Sequence, residues 1–314
     1  MFKKLTPYIS IARPDHWFKN VFMLPGLLLA YLFHPVPVDS HLLVKIVMGI
    51  FATCLIASAN YTINEILDAP YDLQHPVKKN RPVPAGLVKN SLGYLQYVIL
   101  LIAGLAISYQ INIYFFASNA FLLVMGLLYN VPPVRTKDVP YLDVLSESVN
   151  NAIRLLLGWY LITDSIIPPL SVVVAYWMIG AFFMAMKRLG EIRFIKNQTV
   201  IKDYRKSLSS YTEEKLLISI IFYAAVFSFT AAIFLIRYKF ELILTMPVLA
   251  WLIAEYTRIG FLQDSPVQYP EKLYKQHRLM FIMIVFTVSF IALLFVKLPW
   301  LISIFDPSIH TLTN

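Results

Sequence analysis

Apolar positions along this chain run unbroken for about 20 residues at a time, the length that crosses a bilayer as helix. Nine such windows stand out, at roughly 19–33, 43–66, 91–109, 112–130, 142–162, 170–187, 216–236, 240–257 and 279–298. They lack the alternation of barrel strands, and a spanning backbone has to satisfy its own hydrogen bonds, so helix is the expected state. The pattern therefore predicts an all-α polytopic membrane protein with about nine transmembrane helices. The first window is short, and the fourth nearly continues the third.

Between the windows, Lys and Arg sort into alternate loops. One side carries Lys3, Lys4, Arg13 and Lys19; then Lys78, Lys79, Arg81 and Lys89; then Arg135 and Lys137. The loop after the sixth window adds Lys187, Arg188, Arg193, Lys196, Lys202, Arg205, Lys206 and Lys215, and the loop after the eighth adds Arg258, Lys272, Lys275 and Arg278. The opposite side has only Lys45, Arg237, Lys239 and Lys297, with Arg154 inside the fifth window. By the positive-inside rule the N-terminus is cytoplasmic, and nine spans place the C-terminus outside, as in a bacterial-type inner (plasma) membrane protein. The loops after windows two, six and eight are long and polar, so function is expected on the cytoplasmic face.

Composition agrees: 58% of the residues are hydrophobic, 14% are charged, and mean hydropathy is +0.65. A soluble domain carries nearer a quarter charged residues. The net charge of +9 follows the membrane topology, so no nucleic-acid partner is expected. The single cysteine, Cys54, lies in an apolar run, reads as packing and excludes an intrachain disulfide. Residues 2–12 lack the apolar stretch of a cleavable signal peptide. Residues 1–314 read as a single membrane domain.

Chemistry gathers at the end of the second window. Asn60, Asn64, Asp68 and Asp72 recur every four residues, about 40° apart on a helix, and so form one stripe. Pro70 disfavours a helical residue before it, so the helix may be read as ending near Asp68 with Asp72 on the loop, or as continuing; either geometry brings both carboxylates to one metal. Mg²⁺ takes one or two carboxylates and fills its remaining positions with water and substrate phosphate. Lys78 and Arg81, just downstream, need an anion. A Mg²⁺-bridged phosphate or diphosphate meets both demands, with Asn64, Asp68 and Asp72 as metal ligands; the bland alternative is a capped helix end with solvated acids.

Other candidates are more scattered. Lys19 reads either as a phosphate ligand or as an interface marker. Arg154 sits where an ionised side chain is expensive, which favours a cavity role over an ion pair with Glu147. Tyr129 reads as a substrate contact or an interfacial tyrosine. Lys187, Arg188 and Glu191, with Tyr204 and Arg205 opposite, read as a second wall of the site rather than as headgroup charges alone. The six histidines do not cluster, so no zinc site is expected.

The segment from Asn64 to Gly86 (Asn-x-x-x-Asp-x-x-x-Asp, then His75-Pro76, Lys78, Arg81-Pro82 and Ala85-Gly86) closely resembles the first Asp-rich motif of the UbiA superfamily of intramembrane prenyltransferases. Arg13-Pro14-x-x-Trp17-x-Lys19-Asn20, Lys187-Arg188-x-x-Glu191 and Tyr204-Arg205-x-Ser207-Leu208-x-x-Tyr211-Thr212 extend the resemblance, and within the superfamily they are most similar to the decaprenyl-phosphate phosphoribosyltransferase branch. The resemblance implies a UbiA-like bundle with a cytoplasmic-side cap over the active site. It also implies Mg²⁺-dependent transfer of 5-phosphoribose from phosphoribosyl diphosphate to a polyprenyl phosphate. Typical aromatic prenyltransferases of the superfamily carry a second Asp-rich motif between helices six and seven; here that loop offers only Glu191 and Asp203 among eight basic residues. One acidic cluster among many cations suits a donor with a diphosphate and a further phosphate. The rival readings are prenyl transfer from a prenyl diphosphate to an aromatic or other small acceptor, and a non-enzymatic transporter or lipid scaffold.

Overall fold

The computed structural model describes residues 2–73, 78–194, 206–262, 265–268 and 270–305. The motif residues His75, Pro76, Tyr204 and Arg205 lie outside the described residues. Eleven α-helices follow one another: α1 (Phe2–Ala12), α2 (Leu24–Phe33), α3 (Ser40–Asp72), α4 (Asn90–Ile111), α5 (Ile113–Asn130), α6 (Leu142–Ile162), α7 (Leu170–Phe194), α8 (Glu213–Tyr238), α9 (Met246–Gly260), α10 (His277–Phe295) and α11 (Pro299–Phe305). There is no strand among the described residues.

Local chemistry sets several boundaries. Asp39 caps α3 by accepting from Leu42 N at 2.8 Å, and Thr212 caps α8 by accepting from Lys215 N. Asn112, extended at φ −173°, accepts from Phe115 N at 2.7 Å and so separates two windows that the apolar pattern nearly fuses. At Pro70, the helix continues: α3 runs to Asp72, with Leu73 N donating to Ala69 O, so both aspartates belong to one helix.

Seven helices among the described residues are long and apolar enough to cross a membrane: Ser40–Asp72, Asn90–Ile111, Ile113–Asn130, Leu170–Phe194, Glu213–Tyr238, Phe240–Gly260 and His277–Phe295. They coincide with seven of the nine predicted windows. The window at 19–33 is instead a 3₁₀ stretch, Pro14–Met23, followed by the ten-residue α2. Alone, α2 covers ~15 Å, half of a ~30 Å hydrocarbon core. The window at 142–162 forms an unbroken helix, α6, but Asp143, Glu147 and Arg154 make it too polar to count by composition.

α6 lies at the centre, packed against α2, α5 and α7, while α3 runs along α4 and α7 along α8. The α2–α6 crossing is tight because each helix offers a glycine: a Cβ on Gly26 would strike the Leu155 carbonyl, and one on Gly158 would strike the Met23 carbonyl. Small residues permit this approach in helices with no water to expel between them. A cavity of about 1560 Å³ opens among α2, α3, α5, α6, α7 and α8–α10; Asn60, Asn64 and Lys187 line its polar part, while Leu27, Phe183 and Phe286 are among its apolar lining.

Replacing Gly158 by Ala should destabilise the protein by about 1–3 kcal/mol through overpacking against backbone. The thermal midpoint of detergent-purified protein would fall, whereas Gly86→Ala, where a Cβ meets nothing within 4 Å but φ is +73°, should cost only local strain.

Candidate active site

The last two turns of α3 carry Asn64, Asp68 and Asp72, and the linker between α5 and α6 arches over them. Within that linker Arg135 takes an unusual backbone conformation, φ +26°, which a non-glycine residue holds only where its surroundings demand it. Its guanidinium returns to the chain in three ways: Nη1 donates to Asn130 O at 3.2 Å, Nε to Asp138 at 3.0 Å and Nη2 to Asp68 Oδ1 at 2.9 Å. Its plane lies 4.7 Å from the centroid of the Tyr71 ring. Two residues on, the Lys137 ammonium is surrounded by oxygens: Asp68 Oδ1 at 2.5 Å, Asn130 Oδ1 at 2.8 Å and Asn64 Oδ1 at 3.3 Å.

One turn beyond Asp68, the buried Asp72 accepts from Arg81 Nη1 at 2.7 Å and faces Lys78 Nζ at 3.9 Å. The Glu65 carboxylate accepts from Val83 N and ties the 81–88 segment to α3. Burial pushes the Lys78 ammonium down to about 8, against the pull of Asp72. Arg135, Lys137, Arg81 and Lys78 thus converge on Asp68, Asp72 and Asp138, with Glu65 close by.

A second charged cluster joins α6 to α7. Arg188, only 1% exposed, donates to Asp143 Oδ2 at 2.9 Å, Glu191 Oε2 at 2.8 Å and Glu147 Oε2 at 3.1 Å. Tyr129 also donates to Glu147 Oε2, at 2.8 Å, and the Asp143 carboxylate accepts from Ser207 and from Tyr211. Burial, together with the Asp143 charge, pushes the Tyr211 phenol well above its ordinary value, so it stays a donor.

The third group lies on the segment ahead of α2. Trp17 donates to Ser58, and the ammonium of Lys19 lies 5.8 Å from the Tyr61 ring centroid. His16 packs edge-on against the same ring. Burial and the nearby Lys19 and Arg13 push its imidazole down to about 4, against the pull of Asp15.

Of the predicted site residues, Lys19, Asn60, Asn64, Tyr129, Arg154 and Lys187 line the one cavity, and Lys137 bridges Asn64 to Asp68. Asn60 donates to Leu122 O while its Oδ1 has no partner. Arg188 and Glu191 bond to each other and to α6, and like Asp68, Asp72, Lys78 and Arg81 they are not among the cavity's lining residues. Arg154 does not pair with Glu147; it bonds Asn20 and the Asn150 carbonyl. Tyr204 and Arg205 lie outside the described residues.

Sequence reading counted Arg135 and Lys137 only as loop charges, although they prove to be the partners of Asp68. The available signal was the placement of Arg, Lys and Asp directly after Tyr129-Asn130, next to the break at Pro132-Pro133.

Among the described residues no group of three or more His, Cys, Asp or Glu side chains comes together to hold a metal. The oxygens converging on Lys137 are nevertheless hard donors, one carboxylate and two amides, already arranged around a cation. That donor set fits Mg²⁺, which needs few protein ligands when a substrate phosphate supplies others.

Removing the guanidinium from the Arg188 cluster should leave three carboxylates without it. Arg188→Met is expected to cost about 3–5 kcal/mol, seen as a large fall in thermal midpoint, with Arg188→Lys losing less. His16 gives a pH signature. Its folded-state pKa near 4 lies below the ordinary 6.5, so its contribution to stability is complete above about pH 6.5 and is lost as pH falls toward 4. His16→Gln should flatten that part of the stability-versus-pH curve.

Comparison with known proteins supplies a frame for this geometry. A sequence profile described as the UbiA prenyltransferase family matches residues 21–285. The decaprenyl-phosphate phosphoribosyltransferase of Mycolicibacterium smegmatis is 30% identical over 210 residues, which cover 66% of this chain and 63% of that protein. The protein of the same name from Mycobacterium tuberculosis is also 30% identical, over 66% of this chain and 67% of its own length. In fold, the chain is similar to a UbiA homolog from Archaeoglobus fulgidus solved with GPP and Mg²⁺, with a TM-score of 0.70 and 21% identity over 92% of this chain and 100% of that one. A structure of digeranylgeranylglyceryl phosphate synthase gives a TM-score of 0.62 at 18% identity, over 93% of this chain and 98% of that one.

Proposed function

This chain belongs to the UbiA prenyltransferase family and is a membrane-embedded transferase, and we propose that it moves 5-phosphoribose from phosphoribosyl diphosphate to a polyprenyl phosphate, yielding polyprenyl-phosphoryl 5-phosphoribose and pyrophosphate. The observation that carries this reading is the gathering of four cations on one acid motif: Arg135 and Lys137 meet Asp68, and Arg81 and Lys78 meet Asp72. Asp143, Glu147 and Glu191 are gathered on Arg188, and residues 187–215 carry no second Asp-x-x-x-Asp motif. The names of the mycobacterial relatives point the same way.

In this reading Asn64, Asp68 and Asp72 hold Mg²⁺, which when bound supplies positive charge to the departing diphosphate. Lys137, Arg135, Lys78 and Arg81 take the diphosphate oxygens by charge-assisted hydrogen bonds. Their charge is already in place before the leaving group develops its own, which is the main source of electrostatic catalysis. The bond between C1 and the diphosphate oxygen breaks with its electron pair going to pyrophosphate. A lone pair on the acceptor's phosphate oxygen forms the new bond to C1. The acceptor is already anionic, so no strong general base is required. Its polyprenyl tail lies in the apolar part of the cavity, against residues such as Phe183, Leu252 and Phe286. The polar corner and the N-terminus face the cytoplasm, as the sorting of Lys and Arg implies.

Labelled phosphoribosyl diphosphate, polyprenyl phosphate and Mg²⁺ should give a lipid-soluble labelled product and one pyrophosphate per transfer. Lys137→Met and Asp68→Asn should each lower the rate by about 100-fold or more. Turnover of a prenyl diphosphate with no lipid-soluble label from the sugar donor would replace this reading with prenyl transfer.

A further inference from the structure

Four cationic side chains are buried among the described residues: Arg135, Lys137, Arg154 and Arg188. Three of them reach carboxylates, Arg135 and Lys137 at Asp68 and Arg188 at Asp143, Glu147 and Glu191. Arg154 differs. It lies ~18 Å along α6 from Leu142 and is 7% exposed. Its Nε donates to Asn20 Oδ1 at 3.0 Å and its Nη1 to Asn150 O at 3.2 Å. The titratable groups facing it are Tyr61, Tyr176 and Cys54, and among the described residues no carboxylate pairs with it. An ionised guanidinium at that depth without an anion is costly.

The surroundings are those of a binding site. Arg154 and Asn150 both line the cavity, as do Lys19 and Lys187. Asn20 is held by its own bond to Cys54 Sγ, which fixes its carbonyl oxygen on Arg154. The Oδ1 of Asn150 is buried with no hydrogen-bond partner. The pocket therefore offers a donor-rich cation without an anion. A phosphate monoester answers it: its dianionic oxygens accept from Arg154 by charge-assisted hydrogen bonds. A phosphodiester, limited to one negative charge, answers it less well.

We propose that Arg154, held in place by Asn20 and the Asn150 carbonyl, forms a phosphate-monoester subsite on the cavity wall that works without metal and is separate from the Asp68–Asp72 corner. The proposal rests on the cavity being the active site. Two reactants of the proposed transfer carry a monoester, the lipid acceptor and the 5-phosphate of the donor, and the subsite makes the enzyme select for one of them. Where it takes the acceptor, it also favours release of the product, whose lipid phosphate has become a diester.

Calorimetric titration of the detergent-purified full chain in EDTA, with farnesyl phosphate in one arm and ribose 5-phosphate in the other, tests this directly. At least one monoester should bind the unmodified protein, and Arg154→Gln should weaken that binding by about 10- to 100-fold. Loss confined to farnesyl phosphate assigns the subsite to the acceptor, and loss confined to ribose 5-phosphate assigns it to the donor. Asn150→Asp separates binding from folding, because it places a carboxylate beside the guanidinium: monoester binding should disappear while the thermal midpoint holds or rises. The proposal is overturned if neither monoester binds without metal, or if both variants bind within twofold of the unmodified protein. Should the monoester effect appear while labelled sugar never reaches lipid, the subsite stands and the phosphoribosyl reading fails; the reverse pair of results sinks the subsite alone.

Discussion

A charge carried into a helical bundle in lipid has to be answered by another charge or by a dense set of hydrogen bonds, and that requirement organises this protein. Asp68 near the end of α3 is answered by Arg135 and Lys137 from a linker almost seventy residues away. Arg188 on α7 is answered by Asp143 and Glu147 on α6 and by Glu191 on its own helix. These two knots fix how α3, α5, α6 and α7 meet at the polar end of the cavity. Apolar packing determines that the helices associate, but one apolar surface against another offers little to select register. The ion pairs and the glycine-to-carbonyl contacts between α2 and α6 supply that selection.

The two knots are built differently, and the difference bears on chemistry. Around Arg188 the carboxylates outnumber the cation, and Tyr129, Ser207 and Tyr211 donate into the cluster as well. That arrangement is closed and rigid. Around Asp68 and Asp72 four cations gather, and the linker bringing Arg135 and Lys137 is held through a backbone conformation that Arg135 does not favour. A cation-rich corner with oxygens already focused on one ammonium is suited to accept a metal and a diphosphate together. Arg154, deeper in the cavity and lacking a carboxylate among the described residues, adds a separate demand for negative charge. The cavity thus grades from a polar, anion-seeking end to a wholly apolar one, as a substrate pair made of a phosphorylated sugar and a phosphorylated lipid would require.

How much of this was legible beforehand depends on the separation of the partners along the chain. The four-residue recurrence of Asn60, Asn64, Asp68 and Asp72 is a local fact, and the helix carries it through Pro70 to one end as its period dictates. Seven apolar windows became helices of spanning length for the same reason. The first window is interrupted by the 3₁₀ turn before α2, whereas the fifth forms an unbroken helix, α6, whose polar residues keep it below the hydropathy of the other seven. Lys137 looked like an ordinary loop charge because nothing within ten residues of it announces Asp68.

The sequence by itself therefore determined the all-helical membrane character and the acid stripe on α3, since both follow from periodicity and from the cost of burying backbone and charge. Only the tertiary structure decided which cation meets which acid across helices, brought Arg188 to Asp143 and Glu147, and left Arg154 without a carboxylate among the described residues. Those outcomes depend on long-range approach between helices, where a change of one residue in register exchanges every partner.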